Sequence, residues 1–434
     1  MQYFEIEGGK KLKGEITVNG SKNATVALLA ASMINKGTTT LRNVPQIEEV
    51  NRWVEILESI GVKIEKVGKN LKIIPPVEFK VDKINKKSAC KTRSVIMLIG
   101  AFVGKLNKYF IPQAGGCKLG ERTIRPHLFV LEKFGVKIIN RNDGFFIDAG
   151  KLRPAKKVVL YESGDTVTET ALMVAAQIPQ KTTIKMATAN YMVQDLCFFL
   201  QKLGVKIKGI GTTTLEVVGL KNIKKNISYE ISEDPIEAMF FISLAIVTNS
   251  RLRIKRCPIE FLELELLKLE KMGQKYNILK KYVSRNGKTK LIDIEIIPSK
   301  LVALKDKIHA LPFPGINMDN LPFFVPIAMI AKGRTLIHDW VYENRAVYFA
   351  ELNNLGGKIK LIDSHRVEVE GPTKLKGSKI ISPPALRPAA IILVAMLASS
   401  GKSVLKEVYS VNRGYENLEK RLKSIGAKIE LKKN

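Results

Sequence analysis

The chain has 434 residues, which is enough for two or three domains of about 150 residues each. Hydrophobic residues make up 45% and charged residues 26% of the chain, a composition that excludes a disordered protein, a collagen and a coiled coil. The longest apolar stretches, 323–331 and 389–398, are shorter than the ~20 residues that cross a bilayer. The start of the chain lacks the layout of a signal peptide. We therefore expect a cytoplasmic protein with no membrane partner.

The net charge of +30 has two possible explanations. A nucleic-acid partner would account for it, and so would a lysine-rich solvated surface. The chain contains 17 Arg and 54 Lys. The lysines are spread along its whole length, whereas a nucleic-acid surface usually clusters arginine between aromatic residues. We therefore favour the solvated surface and expect no nucleic-acid partner.

One sequence unit recurs six times along the chain. Each copy has an amphipathic stretch, a glycine and a short alternating segment, as in ILESIGVKIEKV. Between the copies lies an apolar helix of small residues followed by a strand, as in ATVALLAASMINKGTTTLRNV. The repeated glycines are Gly61, Gly135, Gly204, Gly273, Gly356 and Gly426.

The first copy shows which elements to expect. Residues 50–60 carry apolar side chains at helical spacing, and Gly61 can supply the left-handed residue that ends this helix. Residues 62–73 alternate as a hairpin does, with a turn at 68–70. Residues 24–33 are apolar nearly all round, which predicts a buried helix.

A unit of about 70 residues is too small for a core of its own. We expect the six units to assemble with their apolar helices inside and their sheets outside. The repeat leaves open whether they form two lobes of three units or three lobes of two.

The segment GSKNA, residues 20–24, precedes the first buried helix. Ser21 or Asn23 can cap this helix, and Lys22 then stands beside free amides that favour an anion. The alternative is a plain cap with a solvated lysine.

The segment AGGCKLGER, residues 114–122, places Cys117 among glycines and beside Lys118 and Arg122. Nearby cations stabilise a thiolate, so this cysteine can act as an acid or a nucleophile near neutral pH. The alternative is a small buried residue in a tight turn. Cys197, within DLCFFL, is typical of core packing.

Arginine is notable in such a lysine-rich chain, because it makes bidentate contacts to carboxylate and phosphate that lysine cannot copy. Several converging arginines would indicate a substrate that carries both groups. For each one, a surface ion pair is an equally good explanation. The candidates are Arg93, Arg122, Arg345, Arg387 and Arg413.

Asp319 follows a loop rich in proline and glycine, PFPGINMDN. A carboxylate held there can abstract a proton, or it can simply cap the next apolar helix. His127 and His309 show no metal-ligand spacing. We therefore expect no metal site and no cofactor.

These motifs together resemble one enzyme family. GSKNA, AGGCKLGER, the aspartate of PGINMDN, VYENR and NRGYE are similar to those of UDP-N-acetylglucosamine 1-carboxyvinyltransferases, and the resemblance covers the whole chain. It implies an inside-out α/β barrel with two lobes of three units. One lobe would be 22–232, and the other would be 1–21 with 233–434.

The resemblance also implies a reaction. The enolpyruvyl group of phosphoenolpyruvate would move to the 3′-hydroxyl of UDP-N-acetylglucosamine by addition and elimination, releasing phosphate, as the first committed step of peptidoglycan synthesis. Cys117 would be the acid, and the thiol that fosfomycin alkylates, while Asp319 would be the base. Binding residues by the same resemblance are Lys22, Asn23, Arg122 and Arg413 at phosphoenolpyruvate, with Arg345 and Arg387 beside them, and Arg93, Arg122, Thr123, Ile124, Arg125, Pro126 and Val341 at the nucleotide sugar.

The chain departs from the family pattern at several positions. Glu48 replaces a usual lysine, Ala385 replaces a usual acid, and residues 190–192 replace an acidic pair. The uridine-binding loop has no clean counterpart, although Ser163–Thr166 lies nearby. Two alternatives therefore stay open: an enzyme that makes 5-enolpyruvylshikimate 3-phosphate, and a binding protein of the same fold without activity.

Overall fold

A computed structural model describes residues 2–115 and 123–433. The described residues fall into two compact units. We call residues 2–19 with 233–433 the terminal unit, and residues 20–115 with 123–232 the central unit.

Short strands make up the outer layer of the repeats. In chain order the described strands are β1 Gln2–Gly8, β2 Lys13–Thr17, β3 Thr39–Arg42, β4 Lys63–Val67, β5 Asn70–Ile74, β6 Lys108–Pro112, β7 Lys137–Arg141, β8 Gly144–Asp148, β9 Lys157–Val159, β10 Lys181–Lys185, β11 Lys206–Lys208, β12 Thr214–Val218, β13 Ile227–Glu230, β14 Arg251–Pro258, β15 Lys275–Val283, β16 Lys290–Ile297, β17 Ile308–His309, β18 Gly333–His338, β19 Ile359–Leu361, β20 Arg366–Gly371, β21 Lys379–Ile381, β22 Gly401–Lys406 and β23 Lys428–Lys433.

Each unit contains three sheets. Those of the terminal unit have the strand orders β21-β22-β1-β23, β15-β16-β14-β2 and β17-β18-β20-β19. Those of the central unit are β13-β3-β5-β4, β11-β12-β10-β9 and β6-β8-β7. The repeat thus forms two groups of three, and the mixed fold of helices and sheets is confirmed. The described strands form open sheets and no closed strand barrel.

The helices supply the core. They are α1 Lys22–Ser32, α2 Glu48–Ser59, α3 Lys86–Ala89, α4 Met97–Phe102, α5 Arg125–Lys133, α6 Asp165–Ala175, α7 Tyr191–Leu203, α8 Pro235–Val247, α9 Glu263–Lys271, α10 Phe324–Ile330, α11 Leu386–Ala398, α12 Tyr409–Asn412 and α13 Leu418–Ser424. Helix α1 is buried from Ala24 to its end, and α8 is buried throughout. No helix of the described chain has the length and apolar character to span a membrane.

The six repeated glycines all have left-handed backbone, with φ between 80° and 105°. Only glycine adopts this conformation without steric cost, which explains its place after each amphipathic stretch. In the first copy, α2 runs from Glu48 to Ser59 and buries Val50, Trp53 and Leu57. Strands β4 and β5 then pair as the expected antiparallel hairpin.

Candidate active site

Asp319 of the terminal unit lies between two guanidinium groups. Its Oδ2 is 3.2 Å from Nη2 of Arg387, and its Oδ1 is 3.6 Å from Nη1 of Arg345. Both arginine side chains are buried, at 7% and 1% exposure, whereas that of Asp319 is 20% exposed. The carboxylate is therefore oriented by two cations and still partly exposed to a ligand. Asp319 is not the N-cap residue of the 3-10 helix Leu321–Phe323, which is Asn320, nor that of α10, which is Phe323.

Arg345 is held by a second, fully buried carboxylate. Its Nη2 donates to Oδ1 of Asp339 at 2.9 Å, and its Nε donates to Oδ2 of the same residue. The guanidinium also stacks 4.0 Å from the ring centroid of Tyr342 and donates to the carbonyl oxygen of Met318 at 2.6 Å. Burial raises the pKa of Asp339, and the neighbouring Arg345 opposes that rise. Arg345 is thus a fixed cation rather than a surface ion-pair partner.

Arg387 is the second residue of helix α11 and is oriented by Tyr415. Its Nη1 donates to the tyrosine hydroxyl at 3.2 Å, and burial raises the pKa of Tyr415. Ala385 is the N-cap residue of α11 and is fully buried. Its methyl side chain cannot accept a hydrogen bond from the first amides of the helix. Arg413 follows α12 and is half-buried.

In the central unit, GSKNA begins the buried helix α1. Ser21 is the cap: its Oγ accepts a hydrogen bond from the Ala24 amide at 3.1 Å. Lys22 is the first helical residue, and its Nζ lies 3.3 Å from Oδ1 of Asn23. The two side chains therefore lie together at a helix N-terminus, where the helix dipole favours an anion.

Arg93 and the start of α5 form a second cluster in the central unit. Nη2 of Arg93 is 3.4 Å from the carbonyl oxygen of Thr123, and the Thr123 hydroxyl accepts from the Arg125 amide at 3.1 Å. His127 is buried behind them, with Nδ1 3.0 Å from the Thr170 hydroxyl. Burial, and then the charge of Arg93, lowers the pKa of His127 to about 4. This histidine is neutral at physiological pH.

The residues on either side of Arg93 are anchored to α2. Thr92 donates to the buried carboxylate of Glu49, and Nε1 of Trp53 donates to the Ser94 hydroxyl at 2.8 Å. These bonds fix the chain on both sides of Arg93, whose side chain is half-buried.

The departures from the family pattern have local explanations. Glu48 sits in the first turn of α2 and pairs with Arg52 at 3.4 Å, where the helix dipole favours an acid. Asn190 caps α7, and its Nδ2 donates to Oδ2 of Asp165 at 3.0 Å. Asp165 opens α6, so the segment 163–166 is the N-terminus of a helix.

Two candidates, Cys117 and Arg122, lie outside the described residues. The described segment that leads to Cys117 ends at Gly115, which packs against the backbone of Cys90. Cys197 is fully buried, as the sequence predicts. Three further nucleotide-sugar candidates, Ile124, Pro126 and Val341, range from partly to fully buried beside the residues already described.

Sequence patterns missed several polar residues around Asp319. Asp339, Glu265 and Tyr415 each contact a candidate residue or its loop. The contacts of Glu265 and Tyr415 join distant parts of the chain, and the six-residue separation of Asp339 from Arg345 does not by itself predict a pair. Within the described ranges, no group of three or more His, Cys, Asp or Glu side chains is arranged to hold a metal ion.

Known proteins are similar in sequence over nearly the whole chain. The sequence profile of EPSP synthase (3-phosphoshikimate 1-carboxyvinyltransferase) matches residues 6–422. A UDP-N-acetylglucosamine 1-carboxyvinyltransferase from Treponema denticola is 32% identical over 434 residues, which is all of both chains. The chain belongs to the UDP-N-acetylglucosamine 1-carboxyvinyltransferase family, within the group that the EPSP synthase profile describes. A relative of the same name from Gloeobacter violaceus is 32% identical over 99% of this chain and 90% of its own.

Solved structures of the wider group share the fold. The enolpyruvyl transferase NikO from Streptomyces tendae superposes with a TM-score of 0.85 at 23% identity, and 99% of each chain is covered. EPSP synthase from Acinetobacter baumannii has a TM-score of 0.76 at 19% identity over the full length of both chains. At these identities the likeness establishes the fold alone.

Proposed function

We propose that this protein transfers the enolpyruvyl group of phosphoenolpyruvate to the 3′-hydroxyl of UDP-N-acetylglucosamine and releases phosphate. The product is a precursor of peptidoglycan, and the proposed location is the cytoplasm. Full-length relatives of that name support the choice of acceptor. The observation that carries the chemistry is the reachable carboxylate of Asp319 between two buried arginines.

The reaction assigns a role to each group. Asp319 takes the proton of the sugar hydroxyl, whose oxygen then bonds to C2 of phosphoenolpyruvate. Cys117 gives a proton to C3, which becomes a methyl group. In the second stage the Cys117 thiolate takes a proton from C3 and the C2–O bond to phosphate breaks, which restores the double bond and frees phosphate. The departing phosphate takes the proton that Asp319 holds.

Cations are needed because phosphoenolpyruvate carries a carboxylate and a phosphate. Lys22, Arg122 and Arg413 are proposed to bind these groups, with Asn23 beside them, and Arg345 and Arg387 add positive charge around Asp319. The nucleotide sugar is assigned to Arg93, to residues 122–126 and to Val341. The neutral His127 leaves the positive charge of this cluster on its arginines.

The competing activity uses shikimate 3-phosphate as acceptor, and the description of the matching profile favours it. We would measure phosphate release with phosphoenolpyruvate and each acceptor separately, in ordinary and deuterated water. We expect release with UDP-N-acetylglucosamine only, and deuterium in the vinyl group of the product because C3 passes through a methyl stage. Release with shikimate 3-phosphate alone would overturn the choice of acceptor.

Variants of the two proposed acid–base residues complete the test. Cys117→Ala should abolish turnover, and fosfomycin should add to the wild-type thiol in the presence of UDP-N-acetylglucosamine, as intact-mass spectrometry would show. An unmodified thiol together with no turnover of either acceptor would leave only a binding protein of this fold.

A further inference from the structure

A buried carboxylate that the proposed reaction does not use lies next to the Asp319 loop. Glu265, on helix α9, is 2% exposed. Its Oε1 accepts one hydrogen bond from the backbone amide of Asn317 at 3.1 Å and another from Nδ2 of Asn320 at 2.8 Å. One carboxylate oxygen thus binds the loop on both sides of Asp319.

The loop itself continues this connection to Asp319. Oδ1 of Asn317 accepts a hydrogen bond from the Asp319 amide at 2.8 Å, and the carbonyl oxygen of Asn317 accepts one from the Asn320 amide at 2.9 Å. Glu265 therefore fixes the backbone that carries Asp319, while Arg345 and Arg387 fix its carboxylate.

Stability alone does not favour a carboxyl group at this position. The neighbours of Glu265 are apolar and buried: Leu266 and Leu269 on α9, and Leu262 just before it. Burying a carboxyl group among such residues is unfavourable unless hydrogen bonds compensate. Burial raises the pKa of Glu265, and the bonds from Asn320 and Asn317 oppose that rise. Because the buried Glu265 carboxyl lowers stability unless its hydrogen bonds to the loop are made, it is suited to holding that loop in one conformation.

We propose that Glu265 is a positioning residue that holds Asp319, through Asn317 and Asn320, in the orientation needed to take the acceptor proton. This inference rests on the proposed function, because it assumes that Asp319 is the base. Glu265 does not itself contact the reacting atoms.

The test compares three substitutions on helix α9 by steady-state phosphate release with phosphoenolpyruvate and UDP-N-acetylglucosamine. Glu265→Ala should lower kcat roughly 10- to 100-fold and leave both KM values within about twofold, since misplacement of a base affects chemistry more than binding. Glu265→Gln keeps an accepting oxygen and should stay within about threefold of wild type. Glu263→Ala, an exposed residue of the same helix, is the matched control and should not change kcat.

A double variant separates positioning from general destabilisation. Asn317→Ala keeps the backbone amide that donates to Glu265 but removes the Oδ1 that accepts from the Asp319 amide, which is a later link in the same connection. Glu265→Ala with Asn317→Ala should therefore be no slower than the slower single variant, within about twofold. A double variant whose loss of kcat equals the product of the two single losses would overturn the positioning role while the proposed function stands. Equal kcat for Glu265→Ala and Glu263→Ala would do the same. A wild-type protein that releases no phosphate with UDP-N-acetylglucosamine would instead overturn the proposed function, and the positioning role with it.

Discussion

Removing the charge of Asp339 should strongly destabilise the terminal unit, because Arg345 is then left as a buried cation. Breaking a buried ion pair at one partner usually costs about 3–5 kcal/mol. Oδ1 of Asp319 remains 3.6 Å from Nη1 of Arg345, so we expect Asp339→Asn to cost about 3 kcal/mol. For a unit of this size that corresponds to a fall of roughly 6–12 °C in the unfolding midpoint.

Differential scanning calorimetry and urea unfolding would measure this cost. Asp363→Asn is the matched control, because Asp363 forms an exposed pair with Arg366 at 2.6 Å and should give no measurable shift. Replacing the whole buried pair, with Asp339→Leu and Arg345→Met together, should cost less than Asp339→Asn alone, since no charge is stranded. A loss below about 1 kcal/mol for Asp339→Asn would refute this reasoning.

Three further predictions concern the central unit. His127 has a pKa of about 4 in the folded protein and about 6.5 in the unfolded chain, so the free energy of unfolding should fall by roughly 3 kcal/mol as the pH drops from 6.5 to 4. The urea midpoint of His127→Gln should vary less with pH than that of wild type, and an equal pH dependence would contradict this. An added Cβ at Gly115 would lie 1.5 Å from the Cys90 carbonyl oxygen, so Gly115→Ala should displace the segment that leads to Cys117 and reduce phosphate release more than tenfold. The surface variant Gly150→Ala is the control and should leave the rate unchanged; similar rates for the two variants would show that the backbone adapts. Ser21→Ala should lower stability by about 1 kcal/mol through loss of the α1 cap, and an unchanged thermal midpoint would argue against the cap.

The fold was accessible from sequence because its signals are local and repeated. Five of the six repeated glycines follow one of the α-helices, and Gly356 follows the 3-10 helix Ala346–Leu355. The left-handed backbone and the change of periodicity therefore mark the same boundary. The buried helix at residues 24–33 was predicted within two residues of α1, Lys22–Ser32. The repeat could not decide how six units divide into lobes, since that depends on contacts between sheets and helices distant in the chain.

The candidate site was only partly accessible. Sequence left Asp319 undecided between a base and a helix cap, and each arginine undecided between a ligand contact and a surface ion pair. The structure shows that Arg345 and Arg387 pair with Asp319 within the terminal unit, whereas the roles of Asp319 and of the arginines toward a substrate stay predictions. Glu265 carries no sequence signal because its partners are set by tertiary packing, and the short separation of Asp339 from Arg345 does not by itself predict a pair. The roles of Cys117 and Arg122 stay predictions.

The most direct test of the account is the rate of phosphate release by Asp319→Asn with phosphoenolpyruvate and UDP-N-acetylglucosamine. Loss of a general base usually costs 10²–10⁴-fold, so we predict a fall in kcat of at least about 100-fold. Thermal unfolding of the same variant would verify that it is folded. A folded Asp319→Asn protein that keeps kcat within about threefold of wild type would contradict the claim that Asp319 takes the proton.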